Sequence, residues 1–350
     1  MKKELLIASA LVGSLGLAGV AEAASASWSG NVRAGVSGSD LDSTANATHG
    51  ADQKSSLSFS VSETTDAGTK IATGFSVHDE GVDDAGNPSG LTLTFTDGSS
   101  LALVEAGNAA TGRIASVPSA SGEQGITAVA SSANAAPTAI TWGSSSDNVG
   151  FTYTSAADAL GVEGLTFGVS AAFGDDTDGT VSSTAETSYS AGVTYVTSAG
   201  DTTVTIGGGF INADDSNALT INDKTDVVMM SMTAVTGDLT VGVGFGSGSG
   251  VDGNTTEVDS AQILTAGASY VSGDMTFSVG MVDSEASDGT EGSNGSGTDT
   301  LESVGASVDY TVASGVTATI GYTDVSAGNE GASVSGNSGS AWYIGANISF

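Results

Sequence analysis

Ser340-Ala341-Trp342-Tyr343-Ile344-Gly345-Ala346-Asn347-Ile348-Ser349-Phe350 decides how this chain is read. Side chains of an extended strand alternate between its two faces. Trp342, Ile344, Ala346, Ile348 and Phe350 therefore share one face, and Tyr343, Gly345, Asn347 and Ser349 share the other. A strand with lipid outside and water inside needs this alternation over roughly nine to eleven residues. The stretch reads as the closing strand of a membrane barrel. The competing reading, an amphipathic edge strand of a soluble protein, is weighed against the rest of the chain.

The N-terminus points to export. Lys2 and Lys3 precede an apolar run from Leu5 to Val20, and Ala21-Glu22-Ala23 places small residues where a signal peptidase reads them. Residues 1–23 are expected to be a signal peptide and 24–350 the exported domain. The apolar run is shorter than the roughly twenty residues of a spanning helix. Composition favours strands: 51 glycines weaken helices, while the prevalent Val and Thr suit a pleated surface. There is no Cys, which removes disulfides and thiolate metal sites. Forty acidic against seven basic residues, a formal net charge of −33, exclude nucleic acid as a partner. Regularly spaced apolar residues set the chain apart from an acidic disordered polymer.

Alternating segments recur in pairs joined by short turns and separated by longer acidic loops, the pattern of an all-β chain. Strands are expected near Ser27–Val36, Ser55–Glu63, Thr69–His78, Leu91–Thr96 and Leu101–Ala106. The pattern then lapses. Counting both Ala139–Gly143 and Val149–Thr154 would give seventeen strands and put every later short turn on the long-loop side. Taking only Asn148–Ser155 as spanning leaves 107–147 as a long third loop, with Ala156–Glu163 as a longer turn. The remaining strands are Gly164–Phe173, Glu186–Thr197, Asp201–Ile211, Lys224–Val235, Asp238–Gly246, Ala261–Val271, Asp274–Val282, Leu301–Val312, Val316–Thr323 and the closing strand. Rows such as Leu239, Val241, Val243 and Phe245, or Met275, Phe277, Val279 and Met281, alternate with Thr, Ser and Gly. The expected fold is a transmembrane antiparallel β-barrel of sixteen strands with a long, inward-folded third outer loop. Sixteen strands leave a water-filled lumen, so the apolar face has only lipid to meet.

Signal segment, strand count and third loop together resemble the general diffusion porins of Gram-negative bacteria, most closely those of alphaproteobacteria. Ser100-Leu101-Ala102-Leu103-Val104-Glu105-Ala106-Gly107 and Ser338 to Phe350 carry the resemblance best. It implies a homotrimeric outer-membrane channel for passive diffusion of small hydrophilic solutes and ions. The third loop would narrow the pore. Trp342, Ile344, Ile348 and Phe350 would form the signal read by the outer-membrane assembly machinery. The chain departs from the family pattern in its few cations: Arg33, Lys54, Lys70, Arg113 and Lys224 are all that follow residue 23.

Charge preference in such a channel is set by the residues that line it, and carboxylates favour cations. Arg33 and Lys70 have lumen parity, and Glu105, Arg113 and Glu123 lie in or beside the third loop; these five are the candidate constriction residues. Acidic clusters at Asp83 and Asp84, and at Asp175, Asp176 and Asp178, are candidate sites for divalent cations such as calcium, which could bridge the outer loops to lipopolysaccharide. No cofactor is required. A solvated acidic surface explains the same carboxylates, and either reading makes the mouth cation-preferring. Catalysis finds little support, with His49 and His78 the only histidines and neither in a distinctive setting. A secreted acidic β-rich adhesin or surface-layer protein is the alternative, but it would not require sixteen strands or an aromatic end.

Overall fold

The computed structural model describes residues 24–42, 48–79, 88–103, 108–122, 136–141, 148–175, 187–215, 223–251, 257–288, 297–328 and 337–350. The expected signal peptide lies outside them. In these residues sixteen antiparallel strands close into one barrel, each paired to its sequence neighbours, with the last paired to the first. They are β1 (Ser25–Leu41), β2 (Thr48–Thr64), β3 (Lys70–Asp79), β4 (Pro88–Thr94), β5 (Ser100–Leu103), β6 (Asn148–Thr154), β7 (Leu165–Asp175) and β8 (Thr187–Ala199). There follow β9 (Thr202–Asp215), β10 (Asp223–Thr236), β11 (Leu239–Val251), β12 (Glu257–Ser272), β13 (Met275–Asp288), β14 (Thr298–Ala313), β15 (Val316–Gly328) and β16 (Asn337–Ser349). Closure leaves no unpaired edge, the condition for strands to cross a bilayer.

The outer face is the apolar one. Leu239, Val241, Val243 and Phe245 of β11 and Met275, Phe277, Val279 and Met281 of β13 are all exposed on it, as are Val304, Val308 and Tyr310 of β14. Tight turns join the strands at one end, where Gly200, Gly237 and Gly273 take positive φ values of 63°, 56° and 60° that glycine adopts without penalty. The longer Ala156–Glu163 connection holds a single 3-10 turn, Ala159–Gly161.

Several strands run further than the alternation indicates. β1 extends to Leu41, β2 begins at Thr48, and β15 continues to Gly328. Past the apolar belt the outward residues turn acidic, as with Asp283 and Glu285, but ladder hydrogen bonding continues. The lipid face, and with it the sequence signal, ends before the strand does.

The lumen face is not uniformly polar. Leu41, Leu301, Val325, Ala327 and Ala341 form a buried apolar cluster with Ala136 of the third loop. A second cluster joins Ile211, Val227 and Met229 to Ala110, with Ile114 packed against it. Met229, fully buried, shows why: the third loop covers the wall there.

Strand β16 closes on β1 with Gly345 opposite Gly35 and Ile344 opposite Val36. Tyr343 lies over this seam on the lumen side at 1% exposure. A Cβ on Gly35 would stand 2.7 Å from its ring, and one on Gly345 would overlap it outright. The two glycines thus form the slot in which the ring lies flat. Tyr343→Ala is expected to lower the barrel's stability by about 3 kcal/mol, the scale for truncating a buried aromatic. Urea unfolding of the refolded protein measures this, and a loss under 1 kcal/mol would contradict the packing role.

Candidate pore constriction

The third loop is held to the inner wall by a series of local and long-range hydrogen bonds. Asn108 starts it: its Oδ1 accepts from the N–H groups of Ala110 (3.0 Å) and Thr111 (3.4 Å), and its carbonyl accepts from Thr111 Oγ1 (2.9 Å). This Asx-type turn leads into a 3-10 turn at Thr111–Arg113. Wall hydroxyls then take over. The Ala109 and Ala110 N–H groups donate to Ser170 and Ser190, whose hydroxyls bond to each other at 2.5 Å. Thr194 Oγ1 donates to the Arg113 carbonyl (2.7 Å), Arg113 Nη1 donates to Thr166 Oγ1 (3.2 Å), and at the far end the Ser121 N–H donates to Ser307 Oγ (2.8 Å). The returning arm is fixed by Ser284 Oγ donating to the Pro137 carbonyl (2.7 Å).

Residues 108–122 thus cross the inner wall from β7 to β14 as a strap. The wall beneath them is bare. Gly192, Gly207, Gly209, Gly242, Gly267 and Gly280 all face the lumen, and a Cβ on each would crowd strap atoms. At Gly207 it would stand 2.5 Å from the Arg113 carbonyl oxygen and 2.6 Å from the Ala115 nitrogen. The strap narrows the lumen from the side of β7–β14, away from the wall of β1 and β2.

On the β1–β2 wall, Arg33 makes a bidentate ion pair with Asp52, Nε to Oδ2 at 2.7 Å and Nη2 to Oδ1 at 3.1 Å. Lys54 stands directly across the ladder from Arg33. The structure therefore gathers Arg33, Asp52 and Lys54, of which sequence parity had singled out only Arg33. The parity of β2 puts Asp52 and Lys54 on the face of Ser56, Ser58 and Ser60, so the signal was present. Lys70 does face the lumen, but it pairs with Thr64, ten residues along β2 from Lys54, or about 33 Å. It belongs to the short-turn mouth. Arg113 is part of the strap and packs against β7 and β8, six strands from Arg33. Glu105 and Glu123 lie outside the described residues.

The candidate divalent-cation residues fare similarly. Asp83, Asp84, Asp176 and Asp178 lie outside the described residues, and Asp175 enters only as the end of β7. The short-turn rim, by contrast, is described and acidic: Asp66, Asp97, Asp158, Glu163, Asp201, Asp238 and Asp274 are exposed there. The Ser99 hydroxyl (2.7 Å) and N–H (2.9 Å) hold the Asp97 carboxyl below its ordinary pKa, so this turn keeps its charge, and its own hydrogen bonds, until the pH falls through that lowered value.

A closed sixteen-strand barrel with an apolar outer face and an inward strap is a channel geometry. The family model described as Gram-negative porin matches residues 8–349. This chain is a Gram-negative porin. No curated protein sequence matches it. Among solved structures, the porin is similar to an anion-selective porin from Comamonas acidovorans (12% identity, 94% of this chain and all of that one, TM-score 0.62). It is also similar to OmpF of Salmonella typhi in complex with daunomycin (14% identity, 93% and 97% covered, TM-score 0.60). The trimer form of OmpT from Vibrio cholerae, folded in vitro, matches at 15% identity, with 94% and 100% covered and a TM-score of 0.56. The porin resides in the outer membrane and forms a water-filled channel there for small hydrophilic solutes and ions.

Proposed function

We propose that the porin is a passive, cation-preferring pore that works as a homotrimer and catalyses no reaction. The observation that carries the preference is the lumen charge balance. Asp52 neutralises Arg33 on the β1–β2 wall, Lys54 stands beside them, and the short-turn rim is lined by carboxylates. A negative mouth raises the local concentration of cations before the constriction is reached. Lipid and lipopolysaccharide contact the apolar outer face and the outer loops. Calcium held by the acidic outer loops at Asp83, Asp84, Asp175, Asp176 and Asp178 would strengthen the contact with lipopolysaccharide.

Trimer formation has its own support. Trp28, Phe59 and Phe75 cluster on the outside of β1–β3, with ring centroids 4.5 Å apart for Trp28–Phe59 and 5.3 Å for Phe59–Phe75. Aromatic rings packed on one another on the outer face suit a protein neighbour better than lipid alone. Chemical cross-linking of the folded protein in detergent tests this, and a monomer at every concentration would overturn it.

The selectivity test is the reversal potential across a planar bilayer under a potassium chloride gradient. Cation preference is expected. Arg33→Ala leaves Asp52 without its bidentate partner and is expected to raise the cation-to-anion permeability ratio by roughly two- to threefold. A wild-type reversal potential of anionic sign, or a variant that shifts toward anions, would defeat the reading.

A further inference from the structure

A cavity of about 500 Å³ opens into the lumen between the outgoing arm of the strap, its returning arm and the wall of β12–β15. It is distinct from the Arg33–Asp52–Lys54 cluster, which lies on β1 and β2. Its chemistry is also distinct. In a chain in which 13% of residues are charged, none of the described residues lining this cavity is ionisable. Hydroxyls enter from both arms and from the wall, including Ser116, Ser119, Thr138 and Thr323, and are interleaved with Val117, Pro118 and Val282. The wall also contributes Thr265, whose hydroxyl is buried without a hydrogen-bond partner.

We propose that this cavity is a retention site for a neutral, hydroxyl-rich solute of mono- to disaccharide size. The volume falls within the range of small-molecule sites, about 300–1,000 Å³. Serine and threonine hydroxyls both donate and accept, so they match a polyol whose groups do the same. The apolar side chains between them match its C–H surface. A charged solute would exchange its hydration for described lining residues that offer no counter-charge, which is unfavourable. The strap is held at both arms, so the cavity is preformed and little ordering accompanies binding. A neutral solute gains nothing from the negative mouth. A resting place beside the constriction gives it a concentration at the pore that the field supplies only to cations. The inference rests on the channel reading of the lumen.

The test uses the full-length folded protein in detergent, with sucrose as the probe and saturation-transfer NMR as the readout. Two variants fill the cavity from exposed positions on its two arms and leave every barrel-wall residue unchanged, Ser119→Trp and Ala139→Trp. The expected result is transfer to sucrose in the wild type, with affinity reduced at least tenfold in both variants and no comparable transfer to arginine. Single-channel recordings of the same preparations show sucrose-dependent current interruptions only in the wild type. Equal sucrose transfer in wild type and both variants, or stronger transfer to arginine, would overturn the proposal. Protein that conducts ions but gives no sucrose transfer defeats this site alone, whereas folded protein that conducts nothing defeats the channel reading.

Discussion

Gly207→Leu is expected to cut single-channel conductance by about half or more and to add brief closures, because pore width sets the current. The new side chain grows from the bare inner wall of β9 into space occupied by strap backbone: the Arg113 carbonyl, the Ala115 nitrogen and the Ile114 Cα, all within 2.8 Å of where its Cβ would be. The ladder around Gly207 pairs it with Thr194 and Ser231, and nothing in that register needs to change. The strap must therefore move toward the axis. Forcing a side chain into a packed site costs about 1–3 kcal/mol, enough to loosen the strap and far too little to open a sixteen-strand barrel. Gly208→Leu is the matched control, since Gly208 points to the lipid side and a Cβ there would meet nothing nearer than the Met229 carbonyl oxygen at 3.8 Å. It should leave conductance unchanged. A quiet, full-sized channel in Gly207→Leu would show that the strap does not define the pore.

The second large effect is expected at Phe350, where structure and assembly can be separated. Its N–H donates to the Gly30 carbonyl and its carbonyl accepts from the Gly30 N–H, both at 3.0 Å, so the last backbone group finishes the β1–β16 seam. The ring is 65% exposed on the outer face, with its edge over Gly30. Phe350→Ser keeps both backbone bonds. It should refold in detergent to a barrel of near wild-type stability, yet reach the outer membrane at a level at least tenfold lower, if the assembly machinery reads the terminal aromatic. Deleting Phe350 removes the bonds as well and should impair refolding too. Unaltered membrane levels of Phe350→Ser would assign the ring a purely local role.

The barrel was legible in the sequence because lipid and water impose a strict period of two, and rows such as Met275 to Met281 or Leu239 to Phe245 obey it. The choice of Asn148–Ser155 over Ala139–Gly143 was also legible, since strand parity fixes the side on which each turn lies. Alternation was misleading where a lumen residue has a protein neighbour in place of water. Val227, Val228, Met229 and Met230 are apolar in succession because two face lipid and two face the strap. Asp52 escaped notice because an ion pair between strands depends on register, which Arg33 alone cannot reveal. Lys70 was read correctly for its face, but height along the wall is a tertiary quantity. The run of lumen glycines looked like a generic strand composition, and only the strap above them gives it meaning.

The seam between β1 and β16 also sets the order of events in folding. It joins residues 31–41 to 339–349, the most distant pairing the chain makes, whereas every other ladder joins neighbours in sequence. Neighbouring hairpins can form as soon as both strands exist, but this last ladder carries the largest loop-closure entropy and waits for the whole chain. A chain interrupted anywhere before β16 keeps two open edges that no internal rearrangement can satisfy. Closure thus amounts to a test of completeness: only a finished polypeptide can hide all its strand edges, and the tyrosine in its glycine slot makes the outcome hard to reverse.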